Sequence, residues 1–299
     1  MKELKTRGEK NFTIFSITVL SILSIIGIAP FLLIFIASFT KESTLIANGY
    51  SFFPKALSLD AYYYMIAQSE TIVRAYGISI LVTVAGTIAS VIITSMIAYP
   101  LSRKDFKYRN IISFIVFFTM LFNGGVVPSY IMWTRIFHIK NTVFSLIIPT
   151  YLMVAFNVLL VRSFFSNNVP VSLIESAQID GAGELKIFFK IMLPLSVPVV
   201  ATIGIFTGIT YWNDWINGLY YITKPNLYSV QILLVRIMDN IQYLKSGSAN
   251  VALGANAVQL PGTSIRMALA VMGVLPVVII FPFVQKYFIK GVVVGAVKG

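Results

Sequence analysis

Six long, predominantly apolar stretches without Asp, Glu, Lys or Arg interrupt this sequence and constrain its fold more than any other feature. They cover residues 11–40, 75–102, 110–134, 141–161, 191–213 and 267–285. Each is close to or longer than the roughly 20 apolar residues that a helix needs to cross a bilayer. Because backbone polar groups must be satisfied internally in hydrocarbon, we interpret all six as helices. The sequence therefore predicts an all-α membrane protein with six transmembrane helices.

The composition agrees with a chain whose solvent is largely lipid. Charged residues make up 11% of the chain, whereas soluble domains contain about 25%. There is no cysteine and one histidine, His138, so a disulfide framework and a Cys-ligated metal are excluded. A single histidine also leaves almost no material for a His-based site. We therefore expect no catalytic residue and no metal ligand.

The basic residues predict the orientation of the helices. If the N-terminus is cytoplasmic, Lys and Arg cluster in the inner segments at residues 2–10, 103–109, 162–190 and 286–298. The outer connections hold fewer over a longer stretch of chain, which is the positive-inside pattern. Both termini are therefore expected in the cytoplasm. This pattern accounts for much of the net charge of +12 without nucleic acid.

Two local patterns qualify the simple six-helix picture. The third stretch contains Asn123-Gly124-Gly125 and Pro128, so its outer end is expected to break or kink. In the connection between the first two stretches, residues 62–66 predict a helix that lies on the membrane interface.

The connection between the fourth and fifth stretches carries the most specific pattern. Pro170 and Ser172 predict a helix start, residues 173–180 form about two turns, and Gly181 with Gly183 predicts its end. Two acids flank an apolar surface on this helix, which suits insertion into a groove of a partner protein. The acids are Glu175 and Asp180, and the apolar residues are Leu173, Ile174, Ala177 and Ile179. From these residues alone, a connector resting on the membrane remains an alternative.

The same residues resemble a known family. The run Glu175-Ser176-Ala177, followed by Gly181 and then by Ile191-x-Leu193-Pro194, resembles the EAA loop of permease subunits in binding-protein-dependent ABC importers. Ser176 replaces an alanine of the pattern and is also small. Residues 285–299 and Trp212-Asn213-Asp214 resemble the MalG-type, CUT1-like branch that imports carbohydrates. The resemblance covers nearly the whole chain.

The resemblance implies a MetI-like permease subunit in a bacterial cell membrane. Its partners would be a second homologous permease subunit, two copies of an ABC ATPase, and an extracytoplasmic solute-binding protein that delivers the carbohydrate. The sequence contains no G-x(4)-G-K-[ST] loop, so ATP and Mg would be bound by the partner ATPase. The residues expected to contact that ATPase are Glu175, Ser176, Ala177, Asp180, Gly181, Ile191, Leu193 and Pro194.

The resemblance also implies a division of the chain. We expect a cytoplasmic N-terminal segment at 1–12, a six-span permease domain at 13–290, and a cytoplasmic tail at 291–299. The permease domain includes the EAA coupling loop at 170–194 and an external loop at 216–264. A secondary carrier or channel is the main alternative, but ion-coupled carriers need ionisable groups within their spans, and the six stretches have none. A membrane enzyme is a third alternative, but the chain offers few residues that could carry out catalysis.

The substrate path is less clearly marked. Its candidates are Asn123, Asn157, Tyr211, Trp212, Asn213 and Asp214. The aromatic rings would stack on sugars or form an interfacial belt. The asparagines in the spans would face a cavity or join helices by hydrogen bonds.

Two further segments have both a functional and a plain interpretation. The resemblance implies that the external loop, through Asn250, Asn256 and Gln259, contacts the binding protein, although a plain loop is the alternative. It also implies that Gly295, Ala296, Lys298 and Gly299 reach the ATPase, although a frayed end is the alternative. The loop looks longer than in maltose-type members and resembles that of relatives that handle larger or uronate-containing oligosaccharides, and the outer connections carry a modest positive excess. We therefore expect an oligosaccharide, with an anionic one as a possibility to test.

Overall fold

The computed structural model describes residues 7–67, 69–245 and 262–296, and these ranges are predominantly helical. The helices are α1 (Arg7–Ser38), α2 (Glu42–Asn48), α3 (Asp60–Ala67), α4 (Ser69–Ser102), α5 (Arg109–Leu121), α6 (Val126–Ile131), α7 (Phe144–Ile147), α8 (Ala155–Asn168), α9 (Val171–Ile179), α10 (Glu184–Ile187), α11 (Leu193–Leu195), α12 (Val197–Trp212), α13 (Ile216–Tyr221), α14 (Val230–Lys245) and α15 (Thr263–Ala296). π-helical turns follow α6 and α10, at Met132–Ile136 and Phe188–Met192. The helical class predicted from the sequence is confirmed for these residues.

Three helical segments in the described ranges are long and apolar enough to cross a membrane unbroken. They are Gly8–Ser38, Ser69–Ser102 and Thr263–Ile280. Two bent pairs also meet this criterion: Arg109–Leu121 with Val126–Ile136, bent by 114°, and Glu184–Leu195 with Val197–Trp212, bent by 82°. If each bent pair is one span, the described chain has up to five spans by length and composition. The count of six stays a prediction.

The break predicted in the third stretch is confirmed. Helix α5 ends at Leu121, and α6 begins at Val126. Between them Gly125 has a φ of +86°, which residues with a side chain rarely adopt. The side-chain oxygen of Asn123 accepts a hydrogen bond from the N–H of Gly125 at 2.8 Å. Asn123 therefore shapes the break itself.

The fourth and fifth stretches differ from the continuous helices that the sequence predicted. In the fourth, α7 ends at Ile147, and α8 begins only at Ala155. Pro149 lies between them, and Thr150 has a φ of +69°, so the helix cannot continue through this turn. The fifth bends at Ser196, two residues before Pro198, whose ring nitrogen has no hydrogen to donate.

The described residues divide into two compact units, one within 1–69 and 237–275 and the other within 70–236 and 276–299. In the first unit, α1 is exposed along its apolar stretch. Beyond α1 the chain forms α3, which confirms the helix predicted around residues 62–66. The hydroxyl groups of Ser38 and Tyr62 lie 2.8 Å apart and join the end of α1 to α3.

The carboxylate of Glu42 caps the start of α15 in the first unit. It accepts hydrogen bonds from the N–H of Thr263 at 2.8 Å, from the N–H of Ser264 at 2.7 Å, and from the Ser264 hydroxyl at 2.9 Å. The first N–H groups of a helix have no partner within it. Burial acts to raise the pKa of Glu42, but the hydrogen bonds from Ser264 and Thr263 outweigh burial and hold the pKa below its ordinary value of 4.5.

The main apolar core of the second unit surrounds the segment between α8 and α12. Its buried residues include Tyr99, Leu101, Val116, Val158, Val161, Phe165, Ile174, Ile187, Phe188, Met192 and Ile203. They come from α4, α5, α8, α9, α10 and α12, together with the π-helical turn after α10. Between helices in lipid, van der Waals contact among such side chains stabilises the packing, because no apolar surface is removed from water there. The segment with the most specific sequence pattern is therefore held by the chain's own core.

Candidate functional site

The predicted coupling helix is α9, and it begins and ends within two residues of the predicted bounds. After it, Gly181 adopts a φ of +74°. The N–H of Gly181 donates to the carbonyl of Gln178 at 3.0 Å, and the N–H of Ala182 donates to the carbonyl of Ala177 at 2.9 Å. These two bonds form a Schellman motif, which satisfies the last carbonyl groups of a helix. Gly181 therefore ends α9 as the sequence predicts.

Helix α9 has one face on the protein and another exposed. Ile174 is 5% exposed, and Ile174 and Ala177 pack on the apolar core of the second unit. Leu173, Glu175 and Ile179 are exposed, with Ile179 at 86%. The sequence placed all four apolar residues on one surface, but the structure divides them. Residues 174 and 177 are three apart and share a helix face, and that face holds α9 to the chain.

Glu184, at the start of α10, joins the coupling segment to the end of α4. One carboxylate oxygen accepts a hydrogen bond from the Tyr99 hydroxyl, and the other accepts one from the side-chain amide of Gln178 at 2.9 Å. The guanidinium of Arg103 lies 3.9 Å from Glu184 and also bonds Asp105 at 2.8 Å. The hydrogen bond to Asp105 raises the pKa of Arg103 further above its ordinary value, although burial acts against this.

The remaining predicted coupling residues lie around this segment. Ser176 and Asp180 are exposed on α9. Ile191 and Leu193 pack partly on the apolar core, and Pro194 is exposed in α11. A proline needs no partner for its nitrogen but crowds the preceding turn. The π-helical turn immediately before α11 gives the backbone a wider path there.

Asp214 lies at the centre of a second cluster of polar groups, just after the end of α12. Its Oδ1 atom accepts hydrogen bonds from the N–H of Ile216 at 3.1 Å and of Asn217 at 3.2 Å. The side chains of Asn217 and Tyr151 also bond its carboxyl group. Asp214 is 6% exposed, and this burial raises the pKa of its carboxyl group despite these hydrogen bonds. The carboxylate thereby caps the first turn of α13.

Tyr211 and Trp212 are both buried at the end of α12. The Tyr211 hydroxyl donates to the carbonyl of Ile147 at 2.7 Å, and its ring lies against the backbone of Gly86. Trp212 lines a cleft of about 480 Å³ with residues of α4, α12 and α15, including Thr87 and Gly208. The cleft is almost wholly apolar, so it suits hydrocarbon rather than sugar hydroxyl groups.

A comparison with known families identifies this arrangement. Residues 86–294 match the family described as binding-protein-dependent transport system inner membrane component. The chain belongs to this family. It is therefore a multi-pass permease of the bacterial inner membrane, as the resemblance in its EAA-like segment implied.

The relatives of this permease cover nearly all of its length. It is 37% identical over 276 residues to the polygalacturonan/rhamnogalacturonan transport system permease protein YtcP of Bacillus subtilis, covering 92% of this chain and 94% of that one. It is 36% identical over 296 residues to Protein LplC of the same organism, covering 98% and 97%. The crystal structure of a bacterial ABC transporter involved in the import of the acidic polysaccharide alginate superposes with a TM-score of 0.78 and 26% identity, covering 96% of this chain and 100% of that one.

The other predicted path residues of the permease do not form one cluster with Asp214. Asn123 lies in the break after α5. The side-chain amide of Asn157 is buried and lies 3.4 Å from the Thr207 hydroxyl, joining α8 to α12. Asn213 is exposed, and its side chain donates to the carbonyl of Ile209 in its own helix. Contact of these residues with a sugar stays a prediction.

Several predicted contact residues lie at the edge of the described chain or outside it. Gly295 and Ala296 belong to the last turn of α15. The residues outside the described ranges are Asn250, Asn256, Gln259, Lys298 and Gly299. In the ranges that are described, no group of three or more His, Asp or Glu side chains could hold a metal ion.

Sequence reasoning missed the residues that complete both polar groups. Glu184 is 85 residues from Tyr99 in sequence, and no local pattern relates it to Tyr99 and Arg103. Asn217 could have been found, because Asp214 followed by a short helix has the spacing of an N-cap. Tyr151 is brought to Asp214 only by the turn between α7 and α8.

Proposed function

We propose that this permease forms half of the translocation pathway of an ATP-driven importer for an acidic oligosaccharide. The observation that carries the proposal is the family match over residues 86–294. The substrate class is supported by relatives named for polygalacturonan, rhamnogalacturonan and alginate transport. The permease would bind no nucleotide itself, and ATP and Mg would be held by a partner chain.

The proposed topology has six spans with both termini in the cytoplasm. Residues 1–12 form the N-terminal segment, 13–290 the permease domain, and 291–299 the tail. The coupling loop at 170–194 then lies inside, and the loop at 216–264 lies outside. The excess of basic residues in the inner segments supports this orientation.

The proposed assembly contains this permease, a second homologous permease subunit, two copies of an ABC ATPase and an extracytoplasmic binding protein. The exposed face of α9 would enter a groove on the ATPase. There Leu173 and Ile179 would be buried, and Glu175 would pair with a basic residue. A partly apolar helix face inserted in a groove is a recurring mode of recognition.

Reconstitution into liposomes tests the class of transporter. The permease, purified with its partner subunits and supplied with binding protein, should accumulate a galacturonate oligosaccharide only when ATP is present. Uptake of neutral oligosaccharides alone would refute the acidic substrate. Uptake driven by a proton gradient without ATP would refute the importer.

The role of α9 is tested by Glu175→Lys, with Glu70→Lys as the matched control. Both residues are exposed, but Glu70 pairs with Arg74 at the other end of α4. We expect Glu175→Lys to abolish uptake in protein that is still inserted in the membrane, and Glu70→Lys to retain uptake. Normal uptake by Glu175→Lys would contradict the proposed contact between α9 and the ATPase.

The external loop is tested by shortening residues 246–262. We expect uptake to fall, because the loop would contact the binding protein during substrate release, while the complex with the ATPase still assembles. Uptake at the normal rate would make the loop a plain tether.

The tail is tested by removing residues 294–299. We expect weaker stimulation of ATP hydrolysis by loaded binding protein in complexes that still assemble, because Gly295, Ala296, Lys298 and Gly299 would contact the ATPase. Unchanged stimulation would favour a frayed end.

A further inference from the structure

The link between Glu184 and α4 is a polar contact between the coupling segment and a part of the chain far from it in sequence. Glu184 follows α9 in sequence, whereas Tyr99 and Arg103 lie at the end of a helix about 80 residues earlier. We propose that Glu184 is a positioning residue that makes α4 move together with α9. This inference rests on the proposed function, since it assumes that an ATPase displaces α9.

The backbone gives α9 no stiff route to α12. On its C-terminal side the chain passes through Gly181 and Gly183 and then through the 82° bend near Ser196 before it enters α12. Glycine is the most conformationally permissive residue, and such a bend absorbs displacement. The side-chain amide of Gln178 in α9 donates to Glu184 at 2.9 Å, so the contact through Glu184 bypasses both features and reaches a helix with no direct chain connection to α9.

The groups around Glu184 are placed to transmit force. Tyr99 is buried, and the Arg103 side chain is 14% exposed. Neither side chain can therefore readily exchange its contact with Glu184 for a contact with water. The Arg103 guanidinium also lies 3.4 Å from the Tyr99 hydroxyl. Hydrogen bonds to an ionised carboxylate are roughly twice as strong as neutral ones. The carboxylate therefore contacts Tyr99 near the end of α4 and Arg103 immediately after it.

Helix α4 can carry a displacement over a long distance. It is continuous for 34 residues, which corresponds to about 50 Å at 1.5 Å per residue. Further along it, the Ser90 hydroxyl donates to the carbonyl of Tyr151 at 3.2 Å, and the Ser79 hydroxyl accepts from the N–H of Val230 at 2.8 Å. The Tyr211 ring lies on Gly86. Moving the Tyr99 end of α4 would therefore also move the segment around Tyr151 and Asp214.

The test is the number of sugar molecules transported per ATP hydrolysed by the reconstituted importer. We expect Glu184→Ala and Tyr99→Phe each to lower this ratio about fivefold, the lower end of typical coupling between sites. The ratio in the double variant should be no lower than in either single variant, because both substitutions remove the same link. Glu184→Gln should keep most of the ratio, because its amide oxygen still accepts the Tyr99 hydroxyl. Glu70→Gln, which removes an exposed ion pair at the other end of α4, should leave the ratio unchanged.

A wild-type ratio in Glu184→Ala would overturn the inference, and so would losses that simply multiply in the double variant. If Glu184→Ala does not assemble, Tyr99→Phe decides the matter, because it removes a single oxygen atom. The proposed function fails separately, through uptake driven by a proton gradient without ATP. Blocked uptake in Glu175→Lys with a wild-type ratio in Tyr99→Phe would keep the proposed role of α9 and reject the link to α4.

Discussion

Replacing Gly86 with alanine should destabilise the permease, because the ring of Tyr211 occupies the space that a side chain would need. A Cβ atom on Gly86 would lie 2.6, 2.7 and 2.9 Å from three atoms of that ring, closer than real Cβ atoms approach other groups. Tyr211 is 3% exposed, and its hydroxyl is bonded to the carbonyl of Ile147. The ring therefore has to move and give up this hydrogen bond.

The expected cost follows from three contributions. Overpacking a well-packed site costs about 1–3 kcal/mol. Losing the Tyr211 hydrogen bond costs a further 0.5–1.5 kcal/mol or so. Alanine regains up to about 1 kcal/mol relative to glycine within a helix. The net loss in the free energy of unfolding should be about 2 kcal/mol.

Gly77 provides a matched control on the same helix, because a Cβ atom there would meet nothing within 4 Å. Gly77→Ala should be neutral or stabilising by up to about 1 kcal/mol, so the two variants should differ by about 2–3 kcal/mol. Unfolding free energies can be measured by titrating the detergent-solubilised protein with a denaturing detergent. In a Tyr211→Leu background, which lacks the clashing ring atoms, Gly86→Ala should cost little. Equal stability of Gly86→Ala and Gly77→Ala would refute the reasoning.

Three further predictions concern caps and turns. The capping contribution of Glu42 should be present above pH 4.5 and be lost as the pH falls through its lowered folded-state pKa, and Glu42→Gln should remove this pH dependence of unfolding. Gly181→Ala should destabilise the turn after α9 by about 1–2 kcal/mol, because its φ is positive, whereas Gly183→Ala should be nearly neutral in the same unfolding titration. Asn141→Ala should cost about 1–3 kcal/mol, because its side-chain oxygen accepts the N–H groups of Thr223 and Lys224 at 2.7 and 3.2 Å; unchanged unfolding would exclude this role.

The sequence predicted features that depend on neighbouring residues. The end of α9 at Gly181 and the break at Gly125 each follow from a glycine with positive φ, and glycine in such a place is a local signal. The helical class likewise follows from long charge-free stretches. These predictions needed no knowledge of which helices contact one another.

The sequence could not predict features that depend on contacts between distant segments. The apolar residues of α9 were expected to share one surface, but Ile174 turned out to be buried by residues of other helices. The interruption at Pro149 was not predicted, because a proline within an apolar stretch is compatible with a kinked helix as well as with a turn. The link from Glu184 to Tyr99 has no sequence signature, since it depends on how α4 and α10 pack.

The position of Asp214 shows why a lone acid near an apolar span has two competing explanations, sugar binding and the capping of a helix. A carboxylate that binds sugar needs free acceptor positions, and here Oδ1 already accepts two N–H groups of α13. Release of these bonds would leave the N-terminal N–H groups of α13 without partners in a buried site, at about 1–3 kcal/mol for each unsatisfied group. Sugar contact through Asp214 therefore requires either its second oxygen or a rearrangement of the first turn of α13. Tyr151 bonds the same carboxyl group, and the backbone carbonyl of Tyr151 accepts a hydrogen bond from Ser90 of α4. Such a rearrangement would therefore displace α4 as well.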